Sequence, residues 1–574
     1  MIVADGGLTA GRVLRGALSR QRARIAGAVA LLCLHQAAEA LVPVAIGVII
    51  DRAVDTGDWT ALLLSVLALA GLFTVLALAW RFGSRQATIA IEWETHLLRV
   101  RVARRALDPR GHRTGLRAGE LLSIASSDAE RSALMIRAGA LGLAALTALA
   151  VASVALLTIN VPLGLSVLIG VPLLVGALQG LAPLLTRRDA AKQAAIGGTT
   201  ALATDLVDGL RALRGIGAQH NAAQRYGRSS RQTLTVSLRA ATMNGAYQGI
   251  TTAASGLFLA GVAGAAGWLA LRGRLTIGEF VTVVGLAQFV SEPVRLLGYA
   301  GQVAAAARAS AGRVARVLAA APVIEPGPHG AGAVGADRLT LAGISYRTLR
   351  GVDLRLAAGE ILGVLAYDPR DADALLKVLT GLVPAGERTG RLLIDGVPAD
   401  ELDLDDRRRV VLVEQHDVAL FEGTLRSNLL AGRGPGDDGG HVLVAALRAA
   451  AAHDVVAMHP DGLDHPVTDR GTTLSGGQRQ RIGLARALAA EPPVLVLHDP
   501  TTAVDAVTEE QVAEGLTALR AAAPDAATLV ITSSPALLAR MHRVVVLTDG
   551  RVTADGRHDE LADGDPHYRE VVLR

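Results

Sequence analysis

The chain is apolar in long blocks over its first half and in short ones over its second. Six runs in the first half, Ile25–Ile50, Ala61–Trp80, Ala138–Ile159, Pro162–Leu185, Ala246–Leu271 and Ile277–Ala307, have the length of membrane-crossing helices. About 20 helical residues span the hydrocarbon layer. Pro43, Pro162, Pro172 and Pro183 fall inside these runs, where kinks are tolerated if neighbouring helices re-satisfy the backbone. The connections after the first, third and fifth runs are short. Those after the second and fourth are long, poor in proline and amphipathically spaced, which predicts membrane helices prolonged beyond the bilayer.

From Asp337 onward the pattern changes. Strand-like runs (Glu360–Leu365, Val410–Val413, Val494–Leu497, Leu529–Thr532, Val544–Leu547) alternate with helical ones (Asp373–Leu382, Val442–Ala452, Gly476–Ala489, Glu509–Ala521). This alternation predicts a largely parallel sheet flanked by helices. Between the halves, Ala321–Ala336 is rich in Pro, Gly and Ala without usable period, the composition of a linker. The predicted organisation is an all-α six-helix membrane domain over 1–320, a linker over 321–336 and an α/β domain over 337–574.

Composition agrees with one membrane half and one soluble half: 51% of the 574 residues are hydrophobic and 19% charged. The net charge of +4 gives no reason to expect nucleic-acid binding. Arginines instead concentrate in the long connections, from Arg81 to Arg117 and from Arg187 to Arg231, and in the N-terminal segment Arg12–Arg24. The positive-inside tendency places these segments, and with them the α/β domain, in the cytoplasm. Arg272 and Arg274 oppose the rule but are outnumbered. The single cysteine, Cys33, can form no intrachain disulfide and is expected to pack as a small hydrophobe. The N-terminus shows no short apolar stretch with a small-residue cleavage site, so no signal peptide is expected.

Polar residues within the apolar runs are few: His35, Gln36, Glu39, Gln179, Tyr247, Gln248, Gln288, Glu292 and Arg295. Ionisable groups in such helices are functional candidates because burying them is costly. Glu292 and Arg295, three apart on one helix face, can equally serve only to pair with each other.

The most specific motif lies in the second half: Leu474-Ser475-Gly476-Gly477-Gln478, followed by a helical run through Leu488. Two glycines admit a phosphate to the backbone, the serine hydroxyl can donate to it, and the helix N-terminus favours an anion. The string is identical to the LSGGQ signature, and on it the chain resembles the ATP-binding-cassette (ABC) transporters. The resemblance is to half-transporters with the exporter-type membrane fold and covers essentially the whole chain. Gly115–Glu130 and Asp208–Gln219 look like the two intracellular loops that carry coupling helices, near Leu107–Leu116 and Asp208–Gly217. The resemblance further implies a multi-pass protein of a bacterial plasma membrane, a P-loop-type nucleotide-binding domain, and ATP with Mg2+ as cofactors. Tyr346 stands at the adenine-stacking position, although an ordinary strand tyrosine would look the same. Gln415 matches the Q-loop glutamine and Asp505 the D-loop aspartate.

Four positions or groups of positions depart from the family's pattern. Where G-x-x-x-x-G-K-[ST] is expected after the strand Gly359–Leu365, the sequence reads Ala366-Tyr367-Asp368-Pro369-Arg370-Asp371-Ala372-Asp373. The two glycines are thus Ala366 and Asp371, the lysine is Ala372 and the Mg2+-binding hydroxyl is Asp373. His498 replaces the Walker B aspartate, Asp499 the catalytic glutamate and Ser533 the switch histidine. Three aspartates, 368, 371 and 373, would crowd the phosphate cradle. A like-charge pair about 4 Å apart costs on the order of 4 kcal/mol at an effective dielectric of 20, more than a stacked tyrosine returns at about 1 kcal/mol.

No catalytic residue is therefore expected in this chain's own site. In the family each ATP lies between the Walker residues of one domain and the signature of the other. An intact signature beside a degenerate site implies a heterodimer: a second half-transporter with working Walker A, Walker B and switch histidine, whose ATP meets Ser475, Gly476, Gly477 and Gln478. The expected activity is ATP-driven export of a small amphipathic or peptide-like compound. Two alternatives stay open, the same architecture importing a substrate such as a metal-chelator complex, and a regulatory membrane subunit that transports nothing.

Overall fold

The computed structural model describes residues 8–180, 182–325, 327–330, 332, 334–434, 437, 439–468, 471 and 473–572. The chain divides into two compact units, one running to Arg105 and over Gly115–Ala319, the other comprising Ala106–Thr114 and the chain from Ala320.

The first unit is helical. Helix α1 (Ala10–Arg20) is amphipathic and precedes α2 (Arg22–Ile49), which ends in a π-helical turn over Ile50–Val54. Helix α3 (Trp59–Ala106) is followed by α4 (Ala118–Ser123), a π-helical turn, α5 (Ala129–Ala133) and α6 (Met135–Ile159). Then come α7 (Val161–Gln179), α8 (Ala182–Asp208), α9 (Leu210–Gly215), α10 (Gln219–Leu271) and α11 (Ile277–Leu318). Among the described residues six spans are long and apolar enough to cross a membrane: Arg22–Val54, Trp59–Ala106, Ala118–Ile159, Val161–Leu178, Gln219–Leu271 and Ile277–Leu318.

Local chemistry sets several boundaries. Asn160 caps α7 by accepting from the Leu163 amide, with Pro162 in the first turn, where a missing N–H is harmless. Thr276 and Glu279 form a capping box on α11, and Asp51 accepts from the Thr276 hydroxyl (2.6 Å) and the Gly278 amide (2.8 Å). Helices α2 and α11 meet at glycines, since a Cβ on Gly278 would lie 2.1 Å from the Gly47 carbonyl oxygen. Such close approach lets dispersion hold helices in an apolar medium that offers no hydrophobic drive. Buried charges are paired: fully buried Glu94 with Arg20, and Asp128 with Arg313 and Ser310.

Two expectations about the first half of the chain are corrected. The fourth apolar run, read to Leu185, belongs to two helices, α7 and α8, with Gly180 as the C-cap of the first. The side chains of Gln179 and Pro183 lie outside the described residues. The first coupling segment, Leu107–Leu116, is not a helix, because Pro109, Gly111 and Gly115 break it and both glycines adopt positive φ. The second contains the short helix α9, Leu210–Gly215.

The second unit opens with an antiparallel pair, β1 (Asp337–Tyr346) and β2 (Leu349–Ala357), then β3 (Ile361–Ala366) and α12 (Pro369–Leu379). Strands β4 (Thr389–Ile394) and β5 (Val397–Pro398), helix α13 (Leu404–Val410), β6 (Val411–Glu414), β7 (Gly423–Thr424) and α14 (Leu425–Leu429) follow. A helical region holds α15 (Gly440–Ala449), α16 (His453–Ala457), β8 (Pro466–Val467) and α17 (Gly476–Ala489). The chain closes with β9 (Val494–His498), α18 (Ala506–Ala521), β10 (Ala527–Ile531), α19 (Pro535–Leu538), β11 (Arg543–Thr548), β12 (Arg551–Gly556), α20 (His558–Gly564) and α21 (Pro566–Val572).

Six strands form one sheet in the order β12-β11-β3-β10-β9-β6, parallel except for β12. Every residue of β9 and β10 is buried, as near-continuous apolar runs require when both sheet faces are covered. A second, antiparallel sheet, β2-β1-β4-β5, is an addition to the parallel sheet predicted from the sequence. The segment 106–114 is held to this unit by backbone bonds. The Arg113 amide donates to the Ala321 carbonyl and the Val323 and Ile324 amides to the Arg110 carbonyl, and the Arg408 guanidinium adds a side-chain bond to the Pro109 carbonyl.

Candidate nucleotide site and signature segment

The altered loop leaves β3 at Ala366, whose neighbours across the sheet are β10 and β11. Only Tyr367 and Asp368 separate it from α12, which begins at Pro369, four residues before the predicted Asp373. Asp-Pro explains the early start: Asp368 caps the helix by accepting from the Arg370 amide (2.9 Å), and proline fits its first turn. The residues that would arch over a phosphate are therefore wound into helix. Pro369 has no N–H, the Arg370 amide is taken by the Asp368 side chain, and the Asp371 amide donates to the Asp368 carbonyl (2.9 Å).

The three carboxylates do not crowd together, which corrects the expectation from sequence. Asp368 is paired with the Arg370 guanidinium (Nη2 to Oδ2 2.6 Å), a contact that holds its carboxyl below the usual range. Asp371 is buried at 2% exposure, turned toward the β11–β12 turn, and accepts from the Gly550 amide at 2.8 Å. Asp373 is exposed. Ala372, at the lysine position, is 6% exposed and packs into the core with Leu376 and Val378. Ala366 is half-buried at the rim of that core. Tyr346 ends β1, also half-buried, with the Arg347 guanidinium 5.3 Å from its ring centroid.

His498 ends β9 and is buried, and its Nδ1 has no hydrogen-bond partner among the described residues. Its Nε2 lies 3.8 Å from the Asp499 carboxylate, beyond hydrogen-bonding distance, and its ring meets that of His416 edge-on at 5.2 Å. Burial pushes the His498 pKa down, which leaves a neutral imidazole at neutral pH. Asp499 has φ of 45°, a left-handed backbone that is strained for a non-glycine residue. Its amide donates to Ile531. Ser533 is exposed in the turn after β10.

Gln415 is exposed after β6 and, with Glu414, Gln480 and His498, lines a small cleft. Burial raises the Glu414 pKa against the opposing pull of Arg486, which donates to it at 2.6 Å. Gln480 is a residue that sequence reasoning missed. Its amide nitrogen donates to the Asp499 carbonyl (2.7 Å) and Thr502 (3.0 Å), and its oxygen accepts from Ala503 (2.9 Å). It fastens α17 to the segment after β9. Its place in Arg479-Gln480-Arg481, one turn into an amphipathic helix, was the available signal.

The signature segment is built differently. Ser475 is the exposed N-cap of α17 and exchanges two bonds with Gln478, each backbone amide donating to the other's side chain (2.8 and 3.2 Å). A Cβ on Gly477 would come within 2.5 Å of the Ala503 carbonyl oxygen, so only glycine fits there, while a Cβ on Gly476 would meet the Ala503 side chain at an ordinary 3.7 Å. The first turn of α17 holds no acidic residue. Asp505 caps α18, accepting from the Val507 and Thr508 amides, bonds that hold its pKa down.

Residues 25–294 match the ABC transporter transmembrane region and residues 349–502 the ABC transporter domain. A mycobactin import ATP-binding/permease protein of Mycolicibacterium thermoresistibile, IrtB, is 32% identical over 71% of this chain and 70% of its own length. The chain belongs to the ABC transporter family. A multidrug efflux ATP-binding/permease protein of Mycobacterium tuberculosis is 30% identical over 72% of the chain, but only 35% of that relative's length is covered. The chain thus matches about a third of that longer protein. An ATP-dependent lipid A-core flippase of Chromohalobacter salexigens is 28% identical over 66% of the chain. In structure, a bacterial Atm1-family ABC exporter with ATP bound superposes with a TM-score of 0.76 at 21% identity, covering 96% of this chain and 98% of that one. This ABC transporter chain accordingly has the exporter fold, a helical transmembrane domain fused to a nucleotide-binding domain, and it is a multi-pass membrane protein with bacterial relatives.

Proposed function

We propose that this chain is the non-hydrolysing half of a heterodimeric ATP-driven transporter, lending its signature segment to the ATP held by a partner of different sequence. The observation that carries the reading is the contrast between a phosphate loop wound into α12 and a signature helix with a free, acid-free N-terminus. In this reading Ser475, Gly476, Gly477 and Gln478 face the partner's ATP. The Ser475 hydroxyl accepts from Gln478 and keeps its own proton to donate to a γ-phosphate.

The chain's own position does not fit Mg·ATP. Ala372 offers a buried methyl where a lysine would make charge-assisted bonds of roughly 1.5–3 kcal/mol each. A neutral imidazole at His498 cannot stand in for a carboxylate beside a cation, and Asp499 is one methylene shorter than the glutamate that would place a water in line. Tyr346, Ala366, Asp371, Ala372, Asp373 and Gln415 then surround a site that grips nucleotide weakly or not at all. Stacking on Tyr346, at about 1 kcal/mol, does not compensate. Ser533 supplies no switch imidazole, and Asp505 serves as a helix cap. No step is assigned to Mg2+ in this chain.

The accompanying organisation is a membrane domain over 1–320, a linker over 321–336 and a nucleotide-binding domain over 337–574, with the N-terminus and the last domain cytoplasmic. Closure of the paired nucleotide-binding domains would reach the membrane helices through the segment 106–114, which is tied to the linker at Ala321 and Val323, and through α9. The cargo is a small amphipathic or peptide-like compound. Import is the second reading, favoured by the 32% identity to a protein named for mycobactin import. Uptake into inside-out vesicles separates the two directions.

The test is Mg-ATPase activity of the purified chain alone and co-purified with a half-transporter carrying intact Walker and switch residues. The reading expects turnover only in the pair. Robust turnover by the chain alone would sink it. Full ATPase in a pair carrying Ser475→Ala would favour a regulatory subunit instead.

A further inference from the structure

We propose that α7, α10 and α11 line a binding site for a drug-sized amphiphile that carries a carboxylate beside an N–H or O–H donor. Calling that ligand cargo rests on the transport reading above. The binding site itself does not.

The cavity has a volume of about 490 Å3, inside the roughly 300–1,000 Å3 range of small-molecule sites. Val171, Leu174 and Val175 of α7, with Phe258 and Leu259 of α10, make one wall apolar. Phe258 can lie against α7 only because position 170 is glycine, where a Cβ would come within 2.5 Å of the ring. The other wall is polar. Tyr247, Thr251 and Ser255 recur every four residues on α10, and Gln288, Ser291 and Arg295 recur at three and four on α11, so each set forms one stripe.

The helices order this cavity from end to end. Helices α10 and α11 are successive and antiparallel, so Tyr247, the first lining residue of α10, and Arg295, the last of α11, mark the same end. Phe258 and Leu259 lie at the other. A ligand would place its head between Tyr247 and Arg295 and its tail beside Phe258.

Hydrogen bonding narrows the head group. The Thr251 hydroxyl donates to the Tyr247 carbonyl (2.8 Å) and the Ser291 hydroxyl to the Gln288 carbonyl (2.8 Å). Their protons are used, so both oxygens are left as acceptors and call for a ligand N–H or O–H. Arg295 donates to Glu292 through one nitrogen, Nη2. A guanidinium has five N–H donors, and its fork matches a carboxylate. Glu292 is not among the lining residues, so the group facing the cavity is the cation. A carboxylate with a neighbouring N–H, as in an acylated amino acid or short peptide, meets both demands.

Dansyl-phenylalanine, with its sulfonamide N–H beside a carboxylate, and its methyl ester are suitable fluorescent probes. They would be titrated into nanodiscs holding the full chain paired with its partner half. The acid is expected to bind about tenfold more tightly than the ester, the effect of one charge-assisted contact. Arg295→Gln should erase the difference and Arg295→Lys should keep part of it. Glu292→Gln, which frees the guanidinium, should strengthen binding of the acid severalfold and leave the ester alone. A Cβ at Gly256, which lines the cavity, meets nothing within 4 Å, so Gly256→Leu should fill the space and abolish binding of both probes. Equal binding of acid and ester, an undiminished difference in Arg295→Gln, or unchanged binding in Gly256→Leu would overturn the proposal. So would loss of pairing between the halves in Gly256→Leu, which would make the cavity a seat for a partner helix. Mg-ATPase read in the same discs keeps the two claims apart, since selective binding without turnover defeats the transport reading and leaves the site standing.

Discussion

The phosphate-loop position and the signature segment are both junctions at which a loop becomes a helix, and they lie in one domain. At the first, the Asp368 side chain and carbonyl take up the Arg370 and Asp371 amides, Pro369 has none to offer, and Asp371 adds a second acid to the first turn. At the second, α17 is capped by a neutral hydroxyl, starts with two glycines and has no acid in its first turn. One helix end is saturated from within, and the other is left open to an outside anion. This contrast is the pattern expected if the open end serves a second polypeptide, as proposed above.

The largest expected effect breaks the open end. Ser475→Arg should lower Mg-ATPase of the assembled pair about a hundredfold, the scale for losing a donor to developing charge, with pairing retained in size-exclusion chromatography. Repairing the closed end should need the whole loop. Replacing 366–373 by a G-x-x-x-x-G-K-S string should raise azido-ATP photolabelling of this chain about tenfold. Ala372→Lys alone should give no labelling and lower the thermal midpoint, since position 372 points into the core and an ammonium there would be buried. Asp371→Ala should cost about 1–3 kcal/mol in thermal unfolding of the pair by leaving the buried Gly550 amide unsatisfied. The smallest effect is expected of Tyr346→Ala, less than about twofold on turnover, because a stacked ring contributes about 1 kcal/mol and the proposed reading assigns no hydrolysis to its site.

Much of this architecture could be read from residue order. Six apolar runs announced the six spans because a bilayer imposes a length that no local propensity overrides. The LSGGQ string placed α17 within its observed bounds because its cap, glycines and helix are contiguous. The early start of α12 was legible in Asp368-Pro369 but was masked by alignment to a family loop that this chain does not form. Long-range partners were not legible at all. Asp371 finds its acceptor role at Gly550, Gln480 finds Asp499 and Ala503, and residues 106–114 join Ala321 and Val323. Each pairing depends on how distant strands and turns are brought together. The charge argument failed for the same reason, since the three aspartates are far apart in role though close in sequence.

The central claim is that catalytic turnover resides on the partner's Walker residues and this chain's signature. Vanadate trapping of the assembled pair with radiolabelled azido-ATP, followed by separation of the two polypeptides, addresses it most directly. The account predicts trapped label on the partner alone, lost when Ser475→Arg is introduced into this chain. Stoichiometric label on this chain, trapped at the segment 366–373, would contradict it.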